Sequence, residues 1–157
     1  MSTIEEISEL LKRKKLRIAV AESCTGGSVS NAFTNIPGAS KFFIAGVVAY
    51  SDFAKINILG VPPEIIVKHG AVSADVAKEM CIGVKKLTGA DIGLSVTGYA
   101  SGGEGIPEVM VGLVYMGIHF RDLIVFERRF SGQRNEIKTT ITEHISEKLL
   151  EIIKKDL

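Results

Sequence analysis

The 157-residue sequence predicts a three-layer α/β/α domain built on a mixed, mostly parallel sheet of about five strands. Two patterns carry this prediction. Short apolar runs bounded by glycine and polar turns alternate with segments whose apolar residues recur at helical spacing. The last two apolar runs are separated by only a few residues, so they form an antiparallel hairpin and not another crossover. Apolar residues make up 46% of the chain, enough to fill a core, and the length suits one domain over 1–157.

The elements follow in order. Thr3 and Glu6 read as a capping box that opens a helix with Ile4, Ile7, Leu10 and Leu11 on one stripe. The basic run from Lys12 to Arg17 falls at its C-terminal end, where the helix dipole favours cations. Leu16 to Glu22 is a strand, with Leu16, Ile18 and Val20 on one face and the small Ala19 and Ala21 on the other. Thr25-Gly26-Gly27 opens a helix carrying Val29, Ala32, Phe33 and Ile36 inward, and Pro37-Gly38 ends it. Phe42 to Tyr50 is almost continuously apolar, the pattern of a strand covered on both faces. Ser51 caps a short helix expected to bury Phe53, Ile56 and Leu59. Pro62-Pro63 begins another, ending near His69-Gly70, and Ser73 caps a longer one that runs to about Leu87 and stops at Gly89. Ile92 to Val96 is a third buried strand, followed by a glycine-rich loop from Gly98 to Gly105. Val109 to Ile118 and Leu123 to Phe130 make the hairpin. The last helix follows Gly132, with Ile137, Ile141, Ile145, Leu149 and Ile152 inward.

Charge and cysteine content narrow the function. Nineteen Lys and Arg against eighteen Asp and Glu give a net charge of +1. Generic binding to nucleic acid or to a membrane surface leans on excess positive charge, so neither partner is expected. No apolar run approaches the roughly 18 residues of a membrane span, and the N-terminus lacks the order of a signal peptide. Cys24 and Cys81 are too few for a disulfide framework, which suggests free thiols and a cytoplasmic protein. His69, His119 and His144 lie far apart without the spacing of a metal site, so no metal or other cofactor is expected. Neither a Walker A loop nor a GxGxxG fingerprint occurs.

Topology then selects the candidate residues. Strands joined through helices run parallel, so the first three should end on one edge of the sheet, and the fifth joins them if the fourth runs back. Ligands of open α/β sheets bind at the carboxyl ends of the strands. Four junctions meet there: Glu22 to Gly27, Tyr50 to Lys55, Thr97-Gly98 with the glycine loop, and Ser131 to Arg134. Ser23 leaves a buried strand just before two glycines, which suits a nucleophile beside backbone N–H donors, although Ser23 or Thr25 would equally serve as a plain helix N-cap. Lys55 falls in a short helix among apolar residues. Burial would disfavour its charged form and make it a base for serine, unless it simply snorkels to solvent. Arg134 offers a bidentate cation for phosphate. Cys24 is either a rival nucleophile with His69 as its base or a small buried residue.

At Ala21-Glu22-Ser23-Cys24-Thr25-Gly26-Gly27 the sequence resembles the C-terminal domain of the competence/damage-inducible protein CinA, a domain found alone as nicotinamide-nucleotide amidase. The likeness continues through Pro37 to Ser40, Gly46 to Ser51 with Lys55, Leu59 to Pro62, His69 to Ser73, Thr97-Gly98, Pro107-Glu108, Val111-Gly112 and Ser131-Gly132 with Arg134. The resemblance implies a metal-free Ser–Lys amidase that converts nicotinamide mononucleotide and water to nicotinic acid mononucleotide and ammonia. It implies Ser23 as nucleophile and Lys55 as base, with Thr25, Gly26 and Gly27 at the oxyanion and ligand turn. It also implies Tyr50 near the pyridine ring, Thr97 and Gly98 lining the pocket, Arg134 on the phosphate, and a homodimer. The loop Tyr99 to Gly105 departs from the family's usual Ile-Ala-Gly-Pro. That departure leaves a second reading, a catalytically silent module that binds a phosphorylated small molecule.

Overall fold

The computed structural model describes residues 1–156. Five strands, β1 (Ile18–Glu22), β2 (Phe43–Val48), β3 (Ile92–Gly98), β4 (Leu113–His119) and β5 (Leu123–Arg129), form one sheet in the order β2-β1-β3-β4-β5. β1 runs parallel to both β2 and β3, while β4 is antiparallel to β3 and β5 to β4. The sheet is mixed, and β1, β2, β3 and β5 point the same way.

The two faces are built from residues of different size. On β1 and β3, Ile18, Val20, Ile92, Leu94 and Val96 face a core completed by α1 (Thr3–Lys14), α2 (Ser28–Thr34) and α6 (Arg134–Lys155). Ala19 and Ala21 face the opposite core, which Val76, Met80 and Val84 of α5 (Ala74–Thr88) complete. Alternation along a strand puts Gly93 and Ser95 on this second face. Here α5 comes so close that the Ser95 hydroxyl donates to Ala77 O at 2.6 Å, and a Cβ at Gly93 would stand 2.8 Å from the Cys81 carbonyl oxygen. Small strand residues on one side therefore set the spacing between sheet and helix. Two shorter helices, α3 (Asp52–Asn57) and α4 (Pro63–His69), precede α5. No helix among the described residues is long and apolar enough to cross a membrane.

Several local expectations are corrected. The capping box of α1 is Ser2 with Glu5, one residue earlier than Thr3 with Glu6. β2 is an edge strand: Phe43 packs on one core and Ile44 and Val47 on the other, but the open edge leaves every position of the strand partly or fully exposed. The first hairpin strand starts at Leu113, because Glu108–Met110 form a single 3₁₀ turn. In α6 it is Ile153, not Ile152, that is fully buried at the end of the stripe. The largest correction lies in α3, where Phe53 is 72% exposed and Lys55 takes the inward position.

Gly93→Ala tests the spacing. The added methyl meets backbone and cannot be relieved by a rotamer change, so the expected loss is about 1–3 kcal/mol, read as a lower urea midpoint with an unchanged slope.

Candidate active site

The turn after β1 begins with a sheet contact. The Ser23 N–H donates to Val96 O at 3.0 Å, carrying the ladder one residue past the strand. Gly26 (φ 59°) and Gly27 (φ 107°) then take left-handed conformations that a side chain would strain, and the chain reverses into α2. Gly27 is the N-cap and offers no side chain for capping. Neither Ser23 nor Thr25 caps the helix. The fully buried Glu22 does so, accepting from the Val29 N–H at 2.9 Å, the Ser30 N–H at 2.9 Å and the Ser30 hydroxyl at 2.6 Å. Its carboxylate satisfies donors that a helix start leaves free, and it releases the Ser23 hydroxyl from structural duty.

Lys55 arrives from the next crossover. Ser51 caps α3 by accepting from the Ala54 N–H at 3.1 Å, and this fixes the helix phase that turns Lys55 inward. The Lys55 Nζ lies 3.0 Å from Ser23 Oγ and 3.0 Å from Ala49 O. Lys55 is 2% exposed and Ser23 7%. Burial lowers the ammonium pKa from its ordinary value near 10.5, while the Asp52 carboxylate works in the opposite direction. Snorkelling is ruled out by this placement.

Ser23 and Lys55 open onto a cavity of about 290 Å³, close to the lower end of small-ligand sites. Tyr50, Thr97, Gly98 and Arg134 also line it, so residues from all four predicted junctions meet at one place. Tyr50 is 64% exposed at the mouth. The Thr97 hydroxyl donates to the carbonyl of Ala71, another lining residue, at 2.8 Å, which ties β3 to the segment ahead of α5. Thr25, Gly26 and Gly27 are not among the lining residues; they shape the turn behind Ser23. Cys24 does reach the cavity, but burial pushes its thiol pKa up to about 12 and leaves it a poor nucleophile. His69 is not available to it as a base: its Nδ1 faces Asp75 at 3.4 Å, outside the cavity lining.

Asp52 and Ser101 are among the lining residues that the sequence pattern did not single out. Asp52 stands beside Lys55 at the first turn of α3, and Ser101 accepts a hydrogen bond from the Arg134 guanidinium. The signal for Asp52 was its place after the Ser51 cap, three residues before the lysine. Ser101 carried no signal beyond its glycine-rich surroundings.

Residues 1–153 match the family described as the CinA C-terminal domain. The chain belongs to this family. It is 50% identical over 135 residues to a CinA-like protein of Thermotoga maritima, covering 86% of this chain and 33% of that one. A CinA-like protein of Dictyoglomus thermophilum is also 50% identical, over 139 residues, 88% of this chain and 34% of the relative. The chain thus spans about a third of the length of these curated relatives. Among solved structures, a CinA superfamily protein of Klebsiella pneumoniae 700603 superposes with a TM-score of 0.90 at 33% identity, covering 99% of both chains. A competence or damage-inducible protein of Enterobacter asburiae gives 0.92 at 30% identity, with 96% of both covered. The CinA fold is therefore shared along nearly the whole chain.

In this CinA domain the turn holding Ser23 depends on Glu22. Replacing Glu22 with Ala leaves three donors without their acceptor, two of them backbone N–H groups, and is expected to cost about 2 kcal/mol or more in urea unfolding, with Glu22→Gln intermediate.

Proposed function

We propose that this chain is an amidase that hydrolyses the carboxamide of nicotinamide mononucleotide, giving nicotinic acid mononucleotide and ammonia, with Ser23 as nucleophile and Lys55 as its base. The observation that carries this reading is the 3.0 Å contact between a buried lysine amine and a serine hydroxyl inside a cavity. A serine hydroxyl is a weak nucleophile until a neighbouring base takes its proton, and an uncharged amine in a desolvated site is such a base. Family membership and the position of Arg134 at the cavity support the choice of a phosphorylated nucleotide.

The reaction runs in two halves. Neutral Lys55 accepts the Ser23 proton as Oγ attacks the carboxamide carbon. The tetrahedral oxyanion needs donors already aimed at it, and the Cys24 N–H, on the cavity-lining residue after Ser23, is the candidate because it donates to no backbone carbonyl among the described residues. Lys55 then returns its proton to the leaving nitrogen, the C–N bond breaks, and ammonia departs. In the second half a water gives its proton to Lys55 and attacks the acyl ester. Collapse of that intermediate restores the Ser23 hydroxyl and frees the acid. Ala49 O holds the amine in position throughout by accepting one of its N–H groups. Tyr50, at the mouth, offers a flat apolar face to the pyridine ring, and Arg134 a planar cation to the phosphate. Thr25, Gly26 and Gly27 act through the turn they form, and Thr97 with Gly98 forms part of the cavity wall.

An ammonia-release assay on nicotinamide mononucleotide, with and without EDTA, tests the assignment. Ser23→Ala and Lys55→Ala should each lose at least a thousandfold in kcat while keeping the native circular dichroism spectrum, and Cys24→Ala and EDTA should change the rate less than threefold. Full activity in Ser23→Ala, or its loss in Cys24→Ala, overturns the nucleophile. Absence of ammonia from the wild type would favour a silent binding module.

The acid limb of the pH profile should follow Lys55. Asp52 stabilises the protonated amine, so Asp52→Asn lowers the Lys55 pKa further and makes the free base available at lower pH. The acid limb of kcat/KM is expected to move to lower pH in Asp52→Asn. A shift to higher pH, or none, would count against Lys55 as the titrating base.

A further inference from the structure

We infer that Lys138 is a second cation for the substrate's phosphate, one helical turn beyond Arg134, and so a specificity-determining residue for the phosphorylated amide; this rests on the amidase reading above.

Arg134 and Lys138 stand four residues apart on α6 and therefore share a face, with about 5–6 Å between their Cβ atoms. Arg134 lines the cavity. The half-buried Lys138 reaches over the turn that carries the nucleophile: its Nζ would lie 3.3 Å from a Cβ built on Gly26. It is also near enough to the Cys24 thiol to favour its ionised form electrostatically. Lys138 is not itself among the residues that line the cavity; it stands one helical turn along α6 from Arg134, beside Gly26 of the Ser23–Gly27 turn.

Neither has a negative partner. The ion pairs among the described residues engage Lys12, His69, Arg121, Lys148, Lys154 and Lys155, and leave out Arg134 and Lys138. Arg134 donates only to the neutral Ser101 hydroxyl, and Lys138 Nζ makes no hydrogen bond to a described residue. Glu22, the buried carboxylate of the same turn, is committed to the start of α2. Cations without a counter-charge keep their donors free for an anion. A phosphate dianion offers oxygens to both cations at once, whereas an uncharged nucleoside has nothing for either.

The test compares wild type, Lys138→Gln and Lys138→Arg on nicotinamide mononucleotide and on its unphosphorylated nucleoside, with inorganic phosphate as a competitive inhibitor. In Lys138→Gln the KM for the nucleotide should rise about tenfold with kcat nearly unchanged. The preference for nucleotide over nucleoside should fall by the same factor, the inhibition constant of phosphate should rise, and Lys138→Arg should restore most of each. A parallel fall in kcat on both substrates would show a lysine that merely props the turn, and it overturns the proposal, as does an unchanged KM. If the wild type releases no ammonia from either substrate, thermal stabilisation by inorganic phosphate decides separately. Stabilisation of the wild type that is lost in Lys138→Gln supports the clamp, and equal stabilisation or none in both proteins overturns it.

Discussion

The site depends on keeping one lysine out of water. A charged ammonium buried among apolar groups is unfavourable, so the surroundings of Lys55 must either neutralise it by pairing or favour the free amine. No carboxylate among the described residues pairs with it; Asp52 is a neighbour on the same helix and not an ion-pair partner. The groups that touch Nζ are a serine hydroxyl and a backbone carbonyl, both neutral. Such an environment lowers the amine's hold on its proton, the direction that the proposed role of Lys55 as a base requires.

The rest of the fold can be understood as what delivers those two groups to one point. Ser23 leaves β1, near the middle of the sheet, held by the Val96 carbonyl of β3. Lys55 comes from a six-residue helix that follows the edge strand β2. A helix so short has little stability of its own. It is held by the Ser51 cap, by the inward packing of Leu59 just beyond it, and by the Val61 N–H, which donates to Lys55 O at 3.0 Å. Lys55 pays for its buried place with a hydroxyl and a carbonyl, while Phe53, the residue with more apolar surface, is left outside.

Charge is arranged with the same economy. Glu22 is fully buried, yet its two oxygens accept three hydrogen bonds, so the carboxylate serves the start of α2 and adds no free acceptor to the cavity. Arg134, which lines the cavity from α6, has no carboxylate partner among the described residues. A chain of net charge +1 can attract an anion only through such local imbalance, not through its overall field.

The order of strands and helices, the parallel core, the closing hairpin and the convergence of four junctions at one edge all followed from the sequence, because hydrophobic period and connection length are local properties that topology rules extend. Ser23 and Lys55 stood out for the same reason, as polar residues at strand exits. Tertiary structure alone decided three other points. The sequence pattern put Phe53 inward and left Lys55 either buried or snorkelling, and the phase set by Ser51 with the hydroxyl of Ser23 turned the lysine in and Phe53 out. Ser23 and Thr25 both looked like caps until a carboxylate from the preceding strand was found in that role. The exposure of β2 depended on which strand ended the sheet, a matter of pairing between distant segments that no run of apolar residues encodes. Residue pattern states what a segment prefers; which preference prevails is fixed by the partners that long-range packing brings within reach.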